Sequence, residues 1–337
     1  MIKKVLVVAP ESSLFTAPLM KAISLSGQMV KLFDTRGSFL YNTKIGQKVV
    51  RKIPKIKYKI WDRINQKLLK AVAAYQPDFL LTVKAENISP QTIGKINRWN
   101  TITANYYPDF VWNWDKIKAI SPVYKFFFSP DRYVLNLLRK QGLSDENLFY
   151  LPFASDVLPN QNSNPFINRK DIYDISVIAS LGSNLYDKRV SYLKELTDFN
   201  LHIWGSKDWR QTELVNHYYG SIKPDKVAGI YNQSKIVINI HYDKEPAEGV
   251  CSRPFEAAAS GALIVSDVIR KDIFNLFKVD EEFVPFENSS DLKQKVKYYL
   301  EHQTERRKIA QAAYQRVIKE HTYYHRWQEI LKITKNQ

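Results

Sequence analysis

Short apolar runs of strand length alternate with segments of helical period along this chain, in two successive series. KKVLVVAP (3–10) reads as a buried strand, TAPLMKAISLSG (16–27) as a helix stopped at Gly27, and MVKLFDT (29–35) as the next strand. The alternation resumes with the helix NQKLLKAVAAYQ (65–76), broken at Pro77, and the strand DFLLTVK (78–84). SPQTIGKINRW, TITANYY, YKFFFSP (124–130) and DRYVLNLLRKQG continue it, and NLFYLPFAS (147–155) closes the first series. Strands in this order, apolar on both faces, are buried only as a parallel sheet covered by helices.

VLPNQNSNPFINRKD (157–171) is rich in Asn and Pro, has little periodicity and reads as a linker. The second series follows: DISVIASLG, KRVSYLKELTDF, NLHIWGS, KPDKVAGIYNQS, KIVINIHY, RPFEAAASG, ALIVSD and KDIFNLF. One long helical region, DLKQKVKYYLEHQTERRKIAQAAYQRVIKE, comes after them. At 337 residues the chain is long for one core, and two domains of roughly 150 residues are expected. The fold class is therefore α/β, with two doubly wound parallel-sheet domains at 1–156 and 172–320. The terminal helix, 321–337, is set apart as a segment able to cross back to the first domain.

In open parallel sheets, ligands bind beyond the carboxyl ends of the strands. Pro10 and Ser12, Gly182 and Ser183, Gly205 and Ser206, His241 and Asp243, and Ser266 and Asp267 all fall at such ends. Two sheets facing a central cleft would place the active site between them.

Charge narrows the partners. Fifty Lys and Arg against 34 Asp and Glu leave +16, which favours a nucleic acid, an anionic membrane surface or a phosphorylated ligand. No RNP, helix-turn-helix or zinc-finger phrase supports the nucleic acid. The basic stretch includes Lys48, Arg51, Lys52, Lys55, Lys57, Lys59 and Arg63, with Trp61 and several Ile interleaved and Asp62 the single acid between Lys44 and Lys70. That composition suits an anionic bilayer surface; a solvated basic face is the other reading. The apolar run near the first residue is too short for a signal segment or a span, so a cytoplasmic location is expected, with peripheral binding to the inner membrane face open. Cys251 is the single cysteine, which excludes an internal disulfide and a multi-cysteine zinc site. It reads as a small buried residue or a nucleophile. The six His show no metal-ligand spacing, and no metal is expected.

The stretch EGVCSRPFEAAASGALIVSD (248–267) carries most of the functional information. Pro254 suits the first turn of a helix whose free N–H groups would attract a phosphate. Glu256, in that first turn, either compensates the helix dipole or meets a ligand. Glu248, seven intervening residues, then Glu256 resembles the E-x7-E region of GT-B glycosyltransferases, especially the retaining family 4 enzymes. The CgeB-like branch of GT-B proteins has a phrase like RxFEAxAxGAxLxxD, similar to RPFEAAASGALIVSD here. IVINIHYD, VIASLGSNLYDKRVSYL, IWGSKDW and EHTYYHRWQEIL resemble further phrases of that branch in order, from about residue 174 to 331.

The resemblance implies a GT-B fold of two Rossmann-like domains and transfer from a nucleotide-diphosphate sugar, UDP- or GDP-linked, without cofactor or metal. It places Glu256 on the ribose hydroxyls and Glu248 near the transferred sugar. Arg253 and Arg189, with Lys188, would neutralise the diphosphate, and Gly182, Ser183, Gly205 and Ser206 would complete the donor side. Glu11, Ser12, Lys84, Glu86 and Asp109 would lie on the acceptor side; Asp109 resembles an Asp of that branch and is equally a turn-forming Pro-Asp. His241 is either a proton shuttle or a structural group. Trp204, Trp209 and Tyr231 either flank the base or pack. The acceptor would be a glycan, a lipid-linked saccharide or a protein. Two departures stand out: Ser183 follows Gly182 where family 4 carries Arg, and the glycine-free ESSLF stands in place of a Gly-rich loop. They leave room for a GT-B-like binding or assembly protein without catalysis, and charge alone leaves a nucleic-acid-binding protein as a third reading.

Overall fold

Val5 to Ala9 are buried on both faces of their strand, which is why that run is continuously apolar instead of alternating. The structure, a computed structural model, describes residues 2–36, 53–109, 111–157, 164–181, 187–244 and 246–335. It divides into two compact units, Met1–Pro152 with Tyr324–Gln337, and Phe153–Tyr323.

In the first unit the chain runs through β1 (Lys4–Ala9), α1 (Thr16–Leu25), β2 (Met29–Asp34), α2 (Pro54–Tyr75), β3 (Phe79–Val83) and α3 (Pro90–Ile96). It continues through β4 (Ile102–Tyr106), α4 (Trp114–Ile120), β5 (Phe126–Ser129), α5 (Arg132–Lys140) and β6 (Leu148–Tyr150). The strands form one parallel sheet in the order β2-β1-β3-β4-β5-β6. Chain direction across the sheet reverses between β1 and β3, and at that switch point the loops leaving the two strands part and open a crevice. Pro54 begins α2, and Ile60, Ile64, Leu68 and Val72 recur every fourth residue to bury one stripe. Ser89 caps α3, its hydroxyl accepting the Thr92 N–H at 3.2 Å. The helix α4 was not expected from the sequence, where aromatic residues crowd its start.

The second unit holds β7 (Tyr173–Ala179), α6 (Asp187–Lys194), β8 (Leu201–Gly205), α7 (Pro224–Asn232), β9 (Ser234–Asn239), α8 (Arg253–Ala259) and β10 (Leu263–Asp267). Then come α9 (Ile273–Leu276), β11 (Val284–Phe286), α10 (Ser289–Glu301) and α11 (Gln303–Glu320). Its parallel order is β11-β10-β9-β7-β8, with the switch point between β7 and β9. The expected long terminal helix is two helices, because His302 leaves the helical region (ψ 70°) and its ring stacks on Tyr298 with centroids 3.8 Å apart.

The segment read as a linker is packed at its end. Arg169 donates to the carbonyls of Ser260 at 3.2 Å, Gly261 at 2.5 Å and Ser234, and pairs with Asp171 at 2.7 Å. A Cβ at Gly261, where φ is +73°, would stand 3.0 Å from the Arg169 guanidinium. The chain then ends in α12 (Tyr323–Lys335), counted almost entirely with the first unit. Its Trp327 is fully buried against Phe79 and donates to Gln28 Oε1 at 2.9 Å, while Arg326 donates to Pro152 O at 2.8 Å. No helix among the described residues is long and apolar enough to cross a membrane.

Candidate functional site

The carboxyl ends of β7, β9 and β10 meet at the second unit's switch point. Ser266 pairs in register with Asn239, so Asp267, the last residue of β10, comes level with Ile240 and next to His241 just past the end of β9. His241 Nδ1 lies 2.7 Å from Asp267 Oδ1, and its backbone N–H donates to Asp267 Oδ2 at 2.7 Å. Both residues are buried. Burial alone would drive the imidazole towards neutrality, but Asp267 and Cys251 hold its pKa above the ordinary histidine value; Asp267 in turn is held low, against burial, by the same ion pair.

Asn239 ties this pair to the next loop. Its Nδ2 donates to Ser266 Oγ at 2.9 Å, and its Oδ1 accepts from Cys251 Sγ at 3.2 Å. Arg253 Nε approaches Cys251 Sγ at 3.3 Å, and Nη2 approaches Ile240 O at 3.4 Å. Burial opposes ionisation of the Cys251 thiol, yet the Arg253 guanidinium and the His241 imidazole bring its pKa down to about 6. Glu256, one turn into α8, has its carboxyl pushed up to about 6 by burial and by Cys251, against the stabilising pull of Ser252 and Arg253. The start of α8 and the ends of β9 and β10 therefore gather a half-buried guanidinium (Arg253), a thiol (Cys251), a carboxyl (Glu256) and the His241–Asp267 pair. Such a set can accept a diol, hold an anion and relay a proton.

Other expected donor residues divide by environment. Arg189 is buried, and its guanidinium bridges Ser180 O and Ile240 O, each at 2.5 Å, fastening the ends of β7 and β9 together. Lys188 Nζ lies 3.6 Å from Asp243 and 5.3 Å from the Tyr192 ring centroid. Gly205 has φ +150°, and a Cβ there would come 1.8 Å from Ala179 O, so only glycine fits beside β7. Ser206 Oγ accepts the Leu181 N–H at 3.0 Å. Gly182 and Ser183 lie outside the described residues. Glu248 is half-buried, and its carbonyl accepts the Asp272 N–H at 3.2 Å. Trp209 and Tyr231 are fully buried, with the Trp209 indole N–H on Ala179 O at 2.8 Å; they pack. Trp204, also buried, stacks near the His202 ring at 5.7 Å.

In the first unit, Lys84, Glu86 and Asp109 come together beyond β3 and β4. Lys84 pairs with Asp109 and lies 3.6 Å from Glu86 Oε1; Glu86 also receives Lys116 at 2.5 Å and the Tyr107 hydroxyl at 2.8 Å. Although burial opposes it, those donors hold the Glu86 carboxyl below its ordinary range. Glu11 and Ser12 are exposed on the turn after β1, with the Glu11 N–H on Asp34 at 3.2 Å. On α2, Lys55, Lys59 and Arg63 are exposed, and Lys57 lies over the Trp61 ring at 4.4 Å. Lys48, Arg51 and Lys52 lie outside the described residues.

Sequence reasoning had placed Asp267 at a strand end without a partner, and had assigned no site role to Asn239, Arg270, Tyr107 or Lys116. Arg270 is buried and donates to Ala247 O at 2.8 Å and to Tyr242 O, holding the loop that carries Glu248. Its signal, an Arg shortly after a strand end, is too common to select by itself.

A family model described as glycosyl transferase-like matches residues 188–332. Spore protein CgeB of Bacillus subtilis (strain 168) is 22% identical over 308 residues, covering 79% of this chain and 86% of that protein. Among solved structures, sucrose-phosphate synthase from Thermosynechococcus elongatus superposes with TM-score 0.69 at 11% identity, over 99% of this chain and 98% of that one. Anabaena HepE in complex with UDP and glucose does so with TM-score 0.63 at 10% identity, over 100% of each. The two parallel-sheet, Rossmann-like units are the GT-B fold.

Proposed function

We propose, taking the glycosyl transferase-like second unit as the premise, that this glycosyltransferase draws its sugar from a nucleotide diphosphate held at the ends of β7, β9 and β10. The observation that carries the reading is the gathering of Glu256 and Arg253 about Cys251, which itself lies against the His241 of the His241–Asp267 pair at the sheet's switch point. A carboxylate accepts both hydroxyls of a ribose diol, and a guanidinium matches phosphate oxygens. In the proposed mechanism, Glu256 orients the nucleoside and Arg253 meets the charge that develops on the diphosphate as the glycosidic bond breaks. That fixed cation makes a metal unnecessary for the leaving group. Arg189 acts one layer behind, keeping Ile240 O where Arg253 reaches it.

Glu248, held by the Arg270 loop, stands for the residue beside the transferred sugar, and His241 for the proton carrier. The Glu248-x7-Glu256 spacing supports a retaining outcome, read from the anomeric configuration of the first product by NMR. UDP and GDP are the favoured carriers; the likeness to HepE, solved with UDP and glucose, supports a nucleotide-sugar donor, and a glycan is the proposed acceptor. Lys84, Glu86 and Asp109 form the acceptor side of the first unit. The exposed basic face of α2 supports work at an anionic, cytoplasmic membrane surface.

A thermal-shift series with UDP, GDP, ADP and CMP tests the donor site: at 100-fold excess over Kd one nucleotide adds about 2.7 kcal/mol of stability. Donor hydrolysis by Glu256→Ala and Arg253→Ala follows. Both variants lose hydrolysis while remaining folded; full activity in either rejects its role. Nucleotide stabilisation with no hydrolysis by the unaltered chain would instead favour a binding protein.

A further inference from the structure

At the first unit's switch point, a cavity of about 320 Å³ opens between α2 and the loop after β3. Tyr58, Trp61, Asp62, Glu86, Asn87 and Lys116 are on its wall. A second cavity of about 190 Å³ adjoins it, sharing Trp61, Glu86 and Asn87 and adding Lys84 and Arg36. The first is of the size that takes a small ligand, in the place where open parallel sheets bind one.

Its chemistry is that of a polyol with an apolar face. Trp61 is half-buried, fixed by Lys57 over its ring and by the Tyr58 edge 5.9 Å away, and it forms a rigid aromatic wall common to both cavities. On the lining of both cavities with it, Glu86 is held and oriented by Lys116 at 2.5 Å and Tyr107 at 2.8 Å. Carboxylate and ammonium side by side accept from one hydroxyl and donate to its neighbour, as a vicinal diol requires. With Asp62 and Glu86 both on the larger cavity, a phosphate group is disfavoured there.

The backbone is unusual at the same point. Lys84 (φ +59°) and Ala85 (φ +46°) are consecutive non-glycine residues in the left-handed region. Strain of this kind persists where the surroundings enforce it, and such places cluster at ligand clamps. Here it turns the chain so that Lys84 and Glu86 sit in one ionic cluster with Asp109.

We infer that the Trp61–Glu86 pocket binds a neutral pyranose residue, its apolar ring face on the indole and its vicinal hydroxyls between Glu86 and Lys116. That this sugar is the transferase's acceptor rests on the function proposed above; the sugar site does not. Saturation-transfer NMR on the nucleotide-free protein tests it, using methyl glucopyranosides, methyl galactopyranosides and methyl N-acetylglucosaminide, with glucose 6-phosphate as the charged comparison. At least one glycoside is expected to bind. Trp61→Ala should abolish that signal, Trp61→Phe should keep it, and Glu86→Gln should weaken binding about tenfold. No binding by any glycoside, binding indifferent to Trp61→Ala in the folded variant, or preference for glucose 6-phosphate overturns the proposal. Failure of the donor reading is separate: it shows as no stabilisation by any nucleotide, whatever the glycosides do. Where both hold, Trp61→Ala raises the acceptor KM.

Discussion

Glu256 must lose its proton to accept two ribose hydroxyls, and its carboxyl is pushed up to about 6 by burial and the neighbouring Cys251. The folded chain holds this proton more tightly than the unfolded chain. The stability so gained is fully present below the ordinary value of 4.5, is lost as pH rises through about 6, and amounts to about 2 kcal/mol at most. Nucleotide binding runs the other way, weakening by up to about tenfold per pH unit below 6. Calorimetry with UDP between pH 5 and 7.5 should show this slope, and Glu256→Gln should bind weakly with the slope reduced; parallel profiles would remove Glu256 from the ribose. Cys251 gives a second titration. Reaction with 5,5′-dithiobis(2-nitrobenzoate) reports on it alone, since the chain has one cysteine. Its rate should follow a midpoint near 6 instead of about 8.5. Arg253→Gln should raise that midpoint, and an unchanged midpoint would show that the guanidinium does not hold the thiolate.

At the scale of elements, close approach decides what can be changed. A Cβ at Gly205 would collide with Ala179 O, so Gly205→Ala cannot relax by moving a flexible side chain. It should cost more than about 1 kcal/mol and lower Tm by several degrees. Trp327→Ala should cost about 3–5 kcal/mol by emptying the site beside Phe79 and detaching α12 from Gln28; a scan within a degree of the unaltered protein would refute that packing. The strands were legible because parallel strands buried on both faces leave apolar runs, as Val5 to Ala9 of β1 do without interruption. The break at His302 was not legible, since no Gly or Pro marks it. That Arg253 and Glu256 share the first turn of α8 was readable locally, from Pro254 at the helix start; the roles proposed for them come from the resemblance. The His241–Asp267 pair was not readable as a pair, because it depends on the register that sets Ser266 against Asn239. Lys116 escaped for the same reason: it reaches Glu86 across 30 residues from a helix the sequence did not announce.

Over the whole molecule, +16 is a long-range field as well as a set of contacts. On α2, Lys55, Lys59, Arg63, Lys67 and Lys70 are exposed with Asp62 among them. If each basic residue near an anionic surface contributes about 1 kcal/mol, this helix face alone gives measurable attraction, opposed in part by Asp62. Screening shortens the field from about 30 Å at 0.01 M salt to about 3 Å at 1 M, so attraction of this origin must fade with ionic strength. The protein should float with vesicles containing anionic lipid at low salt, release near 0.5 M, and ignore neutral vesicles. Replacing Lys59, Arg63 and Lys67 together by Glu should abolish flotation while leaving nucleotide stabilisation intact, because none of the three lies at the second unit's strand ends. Equal flotation with neutral vesicles would assign any binding to the exposed aromatic Tyr58 instead of charge, and no flotation with either would remove the membrane from the function.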